Sequence, residues 1–364
     1  MLQNNLKDVR DLLTEIKYPG TSKDIVALDM VQQIKIEGDK VSFRLVFQKA
    51  NDPFVAALRK KCDALIKEKT AYKEVAIETV FVQEMERPFS LEKVKHIVAV
   101  SSGKGGVGKS TVAANLAVAL AQQGYKVGLV DADIFGPSIP KMFGCEDARP
   151  YMSEIDGKEY IVPVEKYGVK LLSIGFFVDP GSATVWRGPM ASNALKQMVE
   201  QGFWDELDFM LIDLPPGTSD IHLTLVQTVA LSGAIVVSTP QQVALADAVK
   251  GIQMFESPGI AVPVLGLVEN MAWFTPAELP ENKYYIFGKE GCKRLAEELN
   301  VPLLGQIPIV QSICEGGDQG KPVALNPDSI TGKAFQELAE NVVKQIDYRN
   351  EHLAPTERVI VTKK

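Results

Sequence analysis

Apolar and polar positions follow two different rhythms along the chain, and the rhythm changes near residue 85. In the first part, Leu2 to Ile16 carries apolar residues at helical spacing, which predicts an amphipathic helix. The stretch "MVQQIKIEGDKVSFRLVFQ" then alternates with a period of two on either side of Gly38-Asp39, a pair suited to a hairpin turn. Pro53 to Lys67 returns to helical spacing and "EVAIETVFV" to a strand, so residues 1–84 predict a small α+β domain. "QEMERPFSLEKVK" loses periodicity, is charged and contains Pro88; residues 85–95 read as a linker.

From His96 onward the apolar runs are continuous and end abruptly in Gly, Asp or Asn. "HIVAVSS", "KVGLVDAD", "FMLIDLPPG", "GAIVVSTP", "VPVLGLVENM" and "VPLLGQIP" lack the polar alternation of a half-exposed strand. Strands of that kind belong to a parallel sheet covered on both faces. Helical segments separate them, which predicts an α/β fold over residues 96–349: a doubly wound, mostly parallel sheet. Residues 350–364 read as a polar tail. Chemistry-bearing residues gather at the C-terminal ends of the strands, where open α/β sheets bind ligands.

Charge and composition narrow the class. The 364 residues carry a net charge of −7, which argues against a nucleic-acid partner. No apolar run approaches the roughly 18–20 residues that cross a membrane, so no membrane contact is expected. The N-terminus lacks the apolar centre of a secretory signal. The 4 cysteines are scattered, with no Cys-x-x-Cys, as expected of free thiols in a reducing compartment. A cytoplasmic protein is expected.

The motif with the most chemistry is "SSGKGGVGKST", in which Gly103 to Ser110 fits G-x-x-x-x-G-K-[ST] between a predicted strand and a predicted helix. Glycines let backbone N–H groups converge on phosphates, and the helix N-terminus favours the anion. Gly103, Gly105, Gly106, Val107, Gly108 and Thr111 are the expected cradle. Lys109 is expected at the β/γ-phosphate oxygens and the Ser110 hydroxyl on Mg²⁺, with ATP as the ligand. Asp213 ends a buried strand, where a carboxylate holds Mg²⁺ through water. Asp131 and Asp133 lie two residues apart in "VGLVDADIFGPS"; one is expected to bond the loop and the other to face the γ-phosphate and orient water. Lys104, five residues before Lys109, has no role in an ordinary phosphate loop.

"KGGVGKST" resembles the deviant Walker A motif of the MinD/ParA-type ATPases. "VGLVDADIFGPSIPKMFG", "WRGPM", "DFMLIDLPPGTSD" and "GLVENMAWF" are similar to the Mrp/ApbC family of iron–sulfur cluster carrier ATPases, and the likeness runs over most of residues 96–345. The first ~80 residues resemble the small domain often fused to these ATPases and found in cluster-assembly factors. The resemblance implies a homodimer that hydrolyses ATP and delivers iron–sulfur clusters to apo-proteins. It implies that Lys104 crosses the dimer interface to the partner's phosphates, that Asp133 positions water, and that Asp131 and Asp213 form the Mg²⁺ environment. It also implies that Asn270 reads the adenine edge. The alternative function is a nucleotide-switched scaffold or positioning protein that carries no cluster.

That alternative stands because the family's Cys-x-x-Cys after the segment matching "ENMAWF" is missing: the stretch reads "TPAELPENKYYIFG". In the first domain the family's Cys-Pro is replaced by Asp52-Pro53. Cys292, near a helix start, and Cys314, in a glycine-rich loop region, are the weak substitutes; two per subunit would supply a four-thiolate dimer site. Cys62 and Cys145 sit in no matching segment. Trp186-Arg187 reads either as a partner-facing or phosphate-sensing feature or as a plain surface loop, and His222 as a helix-face residue.

Overall fold

The computed structural model describes residues 6–19, 21, 23–28, 30–47, 52–81, 89–134, 136–155, 157–177, 188–257, 260–276, 278–279, 281–356 and 358. The chain divides into two compact units, Met1–Glu86 and Arg87–Lys364.

In the first unit α1 (Leu6–Leu13) precedes the hairpin of β1 (Val31–Glu37) and β2 (Lys40–Phe47), followed by α2 (Val55–Lys69) and β3 (Glu74–Phe81). β1 pairs antiparallel with β2, and β3 runs parallel to β2. Alternation sends Val41, Phe43, Leu45 and Phe47 to one face, where they pack with Val9 and Leu13 of α1 and Leu58, Cys62 and Ile66 of α2. Burial pushes the Cys62 thiol up to about 12, so this cysteine is a core residue. Asp52 accepts from the Phe54 N–H at 2.8 Å and from the Tyr18 hydroxyl, and so anchors the start of α2.

The second unit begins earlier than the pattern suggests. A 3₁₀ turn at Phe89–Leu91 is already packed, with Leu91 buried and Ser90 donating to the Glu200 carbonyl at 2.6 Å. Then come β4 (Val94–Ser101), α3 (Lys109–Gln122), β5 (Val127–Asp131) and α4 (Ile139–Met142). β6 (Tyr151–Ile155), β7 (Lys158–Val162), β8 (Val164–Lys166) and β9 (Val169–Ser173) follow. Next are α5 (Gly188–Gln201), β10 (Leu207–Asp213), α6 (Asp220–Thr228), β11 (Gly233–Ser238) and α7 (Gln242–Glu256). β12 (Val264–Phe274), α8 (Gly291–Leu299), β13 (Leu303–Ile309), α9 (Gln311–Asp318) and α10 (Ile330–His352) complete it. α10 therefore runs past residue 349, into the expected tail.

The main sheet has eight strands in the order β13-β12-β11-β4-β10-β5-β9-β8, all parallel except the edge pair β8/β9. Its central strands β11, β4, β10 and β5 are buried on both faces. Val98, Val100, Leu129 and Leu211 join one core with α3 and α10; Ile97, Ala99, Val130 and Met210 join another with α5 and α6. The six apolar runs from "HIVAVSS" to "VPLLGQIP" all become sheet strands. The segment β6 to β9 carried no such run. β6 and β7 form a separate exposed hairpin, and only β9 is buried. No described helix is long and apolar enough to cross a membrane.

Candidate nucleotide site

β4 ends at Ser101, the chain turns through Gly103–Gly108, and α3 begins at Lys109. Gly106 and Gly108 both have φ +82°, a left-handed conformation that favours residues without Cβ. At Gly103 the demand is steric: a Cβ there would stand 2.1 Å from the Asp247 carbonyl oxygen. The Gly217 N–H donates to the Ser102 carbonyl at 2.8 Å and the Ser102 hydroxyl to the Lys104 carbonyl at 3.1 Å, tying the loop to the segment after β10. The result is a fixed loop feeding a helix N-terminus, an anion site by geometry and dipole.

Sheet register brings two carboxylates beside this loop. Asp131 and Asp213 are paired neighbours at the ends of β5 and β10, and both are fully buried. Asp131 is spent on structure: its Oδ2 accepts from the Ser173 hydroxyl at 2.9 Å and the Ile139 N–H at 3.3 Å, and its Oδ1 from the Asp133 N–H at 3.2 Å. It thus pins the loop that carries Asp133. Asp213 Oδ1 meets the Lys109 ammonium at 2.6 Å. The Ser110 hydroxyl lies near enough to favour the ionised form, yet Oδ2 has no hydrogen bond of acceptable geometry among the described residues. Burial pushes both carboxyls above the usual carboxylate range, with the charge of Asp213 adding to the rise at Asp131.

Lys109 is at the centre. Its side chain is only 5% exposed, and besides Asp213 it reaches Asp133 Oδ2 at 3.6 Å and the Ser110 hydroxyl at 3.2 Å. A buried carboxylate oxygen with no partner, next to a hydroxyl and an ammonium, fits a hydrated divalent cation and a polyphosphate. Lys104, by contrast, is exposed and makes no ion pair among the described residues.

A cavity of about 670 Å³ adjoins the loop, with Gly108, Thr111, Asn270, Met271, Cys314 and Asp318 among its lining residues. Its apolar lining beside a phosphate loop suits a nucleoside. Asn270 is 6% exposed and donates from Nδ2 to the Val107 carbonyl at 2.8 Å.

Two buried side chains escaped the sequence reading. Asn115 bonds the Thr111 carbonyl at 2.8 Å and accepts from the Ala324 N–H at 3.0 Å, joining α3 to the segment before α10. Glu269, fully buried, accepts from the Cys292 N–H and from Gln306 at 2.7 Å. Strand position next to Asn270 was the only available signal for it.

The two candidate cysteines differ in burial. Cys292 is fully buried in α8 against Val236, Leu245 and Leu267, and burial pushes its thiol strongly up, the reverse of what a thiolate ligand needs. Cys314 lies on helix α9 rather than in a loop and is exposed. The two do not share an environment, and the described residues contain no group of three or more His, Cys, Asp or Glu able to hold a metal. Trp186 and Arg187 lie outside the described residues.

His222 is not on an open helix face. It is buried, closes a capping box with Ser219 at the start of α6, and sets Nε2 3.4 Å from the Ser101 hydroxyl. Burial lowers its pKa to about 4, whereas an unfolded histidine titrates near 6.5. Between those values the unfolded chain binds the proton and the folded one refuses it, so His222 lowers stability as pH falls from 6.5 to about 4. Relative to wild type, H222Q should lose about 3 kcal/mol less stability between pH 7 and 4. Denaturant unfolding at both pH values measures this; parallel losses would contradict it.

The model of the NUBPL iron-transfer P-loop NTPase family matches residues 93–343, and that of an iron–sulfur cluster assembly protein family matches residues 6–79. An iron–sulfur cluster carrier protein of Synechocystis is 40% identical over 93% of this chain and 97% of its own. An ADP-bound nucleotide-binding protein of Archaeoglobus fulgidus is 38% identical, covers 66% of this chain and 92% of its own, and superposes with a TM-score of 0.57. The cell division ATPase MinD of Pyrococcus furiosus is 27% identical, with a TM-score of 0.51 over 69% of this chain and 99% of its own. The chain therefore belongs to the NUBPL iron-transfer P-loop NTPase family, with an iron–sulfur cluster assembly domain ahead of its nucleotide unit.

Proposed function

We propose that the chain is a homodimeric, cytoplasmic carrier that binds and hydrolyses ATP and delivers iron–sulfur clusters to apo-proteins. The observation that carries the nucleotide half is the set of Lys109, Asp213 and Asp133 around the loop, the first two buried. Lys109, held on carboxylates, is poised to exchange Asp213 for the β/γ oxygens. Mg²⁺, when bound, neutralises charge on those oxygens. Ser110 and the unpartnered Asp213 Oδ2 are the groups to hold it, the latter through water. Asp133, kept in place by Asp131, orients the attacking water. The nucleoside lies in the adjoining cavity, with Asn270 toward the base. Lys104 serves the partner's phosphates, which links ATP binding to dimer closure. The first domain receives donor or client proteins.

Family membership supports the carrier reading. One observation favours a second reading, a nucleotide switch without cargo: no Cys-x-x-Cys is present, and Cys292 is buried. Anaerobic reconstitution with iron and sulfide, followed by transfer to an apo-protein, separates the two.

A further inference from the structure

β12 carries two adjacent polar side chains, Glu269 and Asn270, and strand alternation sends them to opposite sides. Glu269 holds the start of α8 through the Cys292 N–H. Asn270 reaches the phosphate loop, where its Nδ2 donates to the Val107 carbonyl at 2.8 Å. The contact is close enough to constrain the sequence: a Cβ on Gly108 would stand 2.2 Å from the same nitrogen. Val107 and Asn270 are 4% and 6% exposed, so water competes weakly for this bond. The amide has a second N–H and an acceptor oxygen. Neither has another partner among the described residues, and Asn270 lines the cavity beside the loop.

We infer that Asn270 is a positioning residue for the phosphate loop, coupling the base subsite to the phosphate subsite through a single amide. One N–H fixes the Val107 carbonyl. Because the peptide is trans and planar, that also fixes the Gly108 N–H, which points the opposite way. Gly108 is the residue immediately before Lys109, so the bond sets the loop at the point where it enters α3. The amide oxygen and the remaining N–H are left for the base edge. A base held there restrains the loop, and an ordered loop holds the amide for the base. This role rests on the reading of the site as an ATP site and adds to it a duty toward phosphate that base recognition alone does not include.

The test uses the full chain with Mg²⁺ and two ligands, ATP and inorganic tripolyphosphate, which has no base. N270A should weaken tripolyphosphate binding about tenfold, the loss expected when a buried carbonyl is left without its donor. N270D, which presents no donor to the Val107 carbonyl, should be at least as weak. A residue that only reads the base would lower ATP affinity and leave tripolyphosphate binding at the wild-type value; that result overturns the inference. A second readout needs no ligand. In nucleotide-free protein, hydrogen exchange at Val107 to Lys109 should quicken in N270A while the α10 core stays protected, and unchanged loop exchange overturns the inference equally. If the wild type bound neither ligand, the ATP site itself would be wrong, and loop exchange would still decide the role of Asn270. N270S, shorter but polar, gives the same two readouts if N270A does not fold.

Discussion

Asp133→Asn should bind ATP nearly as well as the wild type and hydrolyse it at least about a hundredfold more slowly. The substitution keeps the shape of the side chain and removes its negative charge and its capacity to take a proton. Asp133 stands 3.6 Å from the Lys109 ammonium and is held by its own N–H on Asp131, which is bonded in turn to Ser173 and Ile139. Its position is therefore set by the fold and survives the change. Water-positioning groups in phosphoryl transfer act on the transition state more than on bound nucleotide, so binding and turnover should separate. Phosphate release and equilibrium ATP binding, measured on the same preparation, check this. Wild-type turnover in D133N would remove Asp133 from the mechanism.

Lys104→Ala should abolish the effect of ATP on dimerisation and lower hydrolysis by about a hundredfold or more. Lys104 is exposed on the phosphate loop, with no ion pair among the described residues, beside a site whose other lysine is buried. A cation supplied in trans to developing phosphate charge acts as an arginine finger does. In the proposed dimer it contacts nucleotide only on closure, so its loss should uncouple the two events. Small-angle scattering with and without ATP reads the dimer directly. An exposed lysine leaves folding untouched, so the variant should melt like the wild type. ATP-dependent dimerisation equal to wild type in K104A would contradict this role.

The parts legible in the sequence were those set by local pattern. Continuous apolar runs marked the sheet strands, because burial on both faces leaves no polar alternation. The glycine spacing marked the loop, because two of its glycines need left-handed backbone and Gly103 has no room for a Cβ. The segment β6 to β9 was not legible, because its hairpin is exposed and its one buried strand is short. Partners found through tertiary packing were also hidden. Nothing local indicates that Asp131 spends both oxygens on Ser173 and two backbone amides, or that Asn270 finds a loop carbonyl 163 residues away. Cys292 was placed correctly near a helix start, yet its burial follows from packing against β11 and β12, which spacing does not reveal.

The central claim, that ATP gates delivery of a cluster, is tested most directly by transfer. The chain is reconstituted anaerobically with iron and sulfide, and bound iron is measured. Cluster movement to an apo-protein is then followed by its absorbance, with and without ATP, for the wild type and K104A. The account predicts labile iron on both proteins, ATP-dependent transfer by the wild type, and no ATP dependence in K104A. A wild-type chain that holds no labile iron, or transfers it identically with and without ATP, would contradict it.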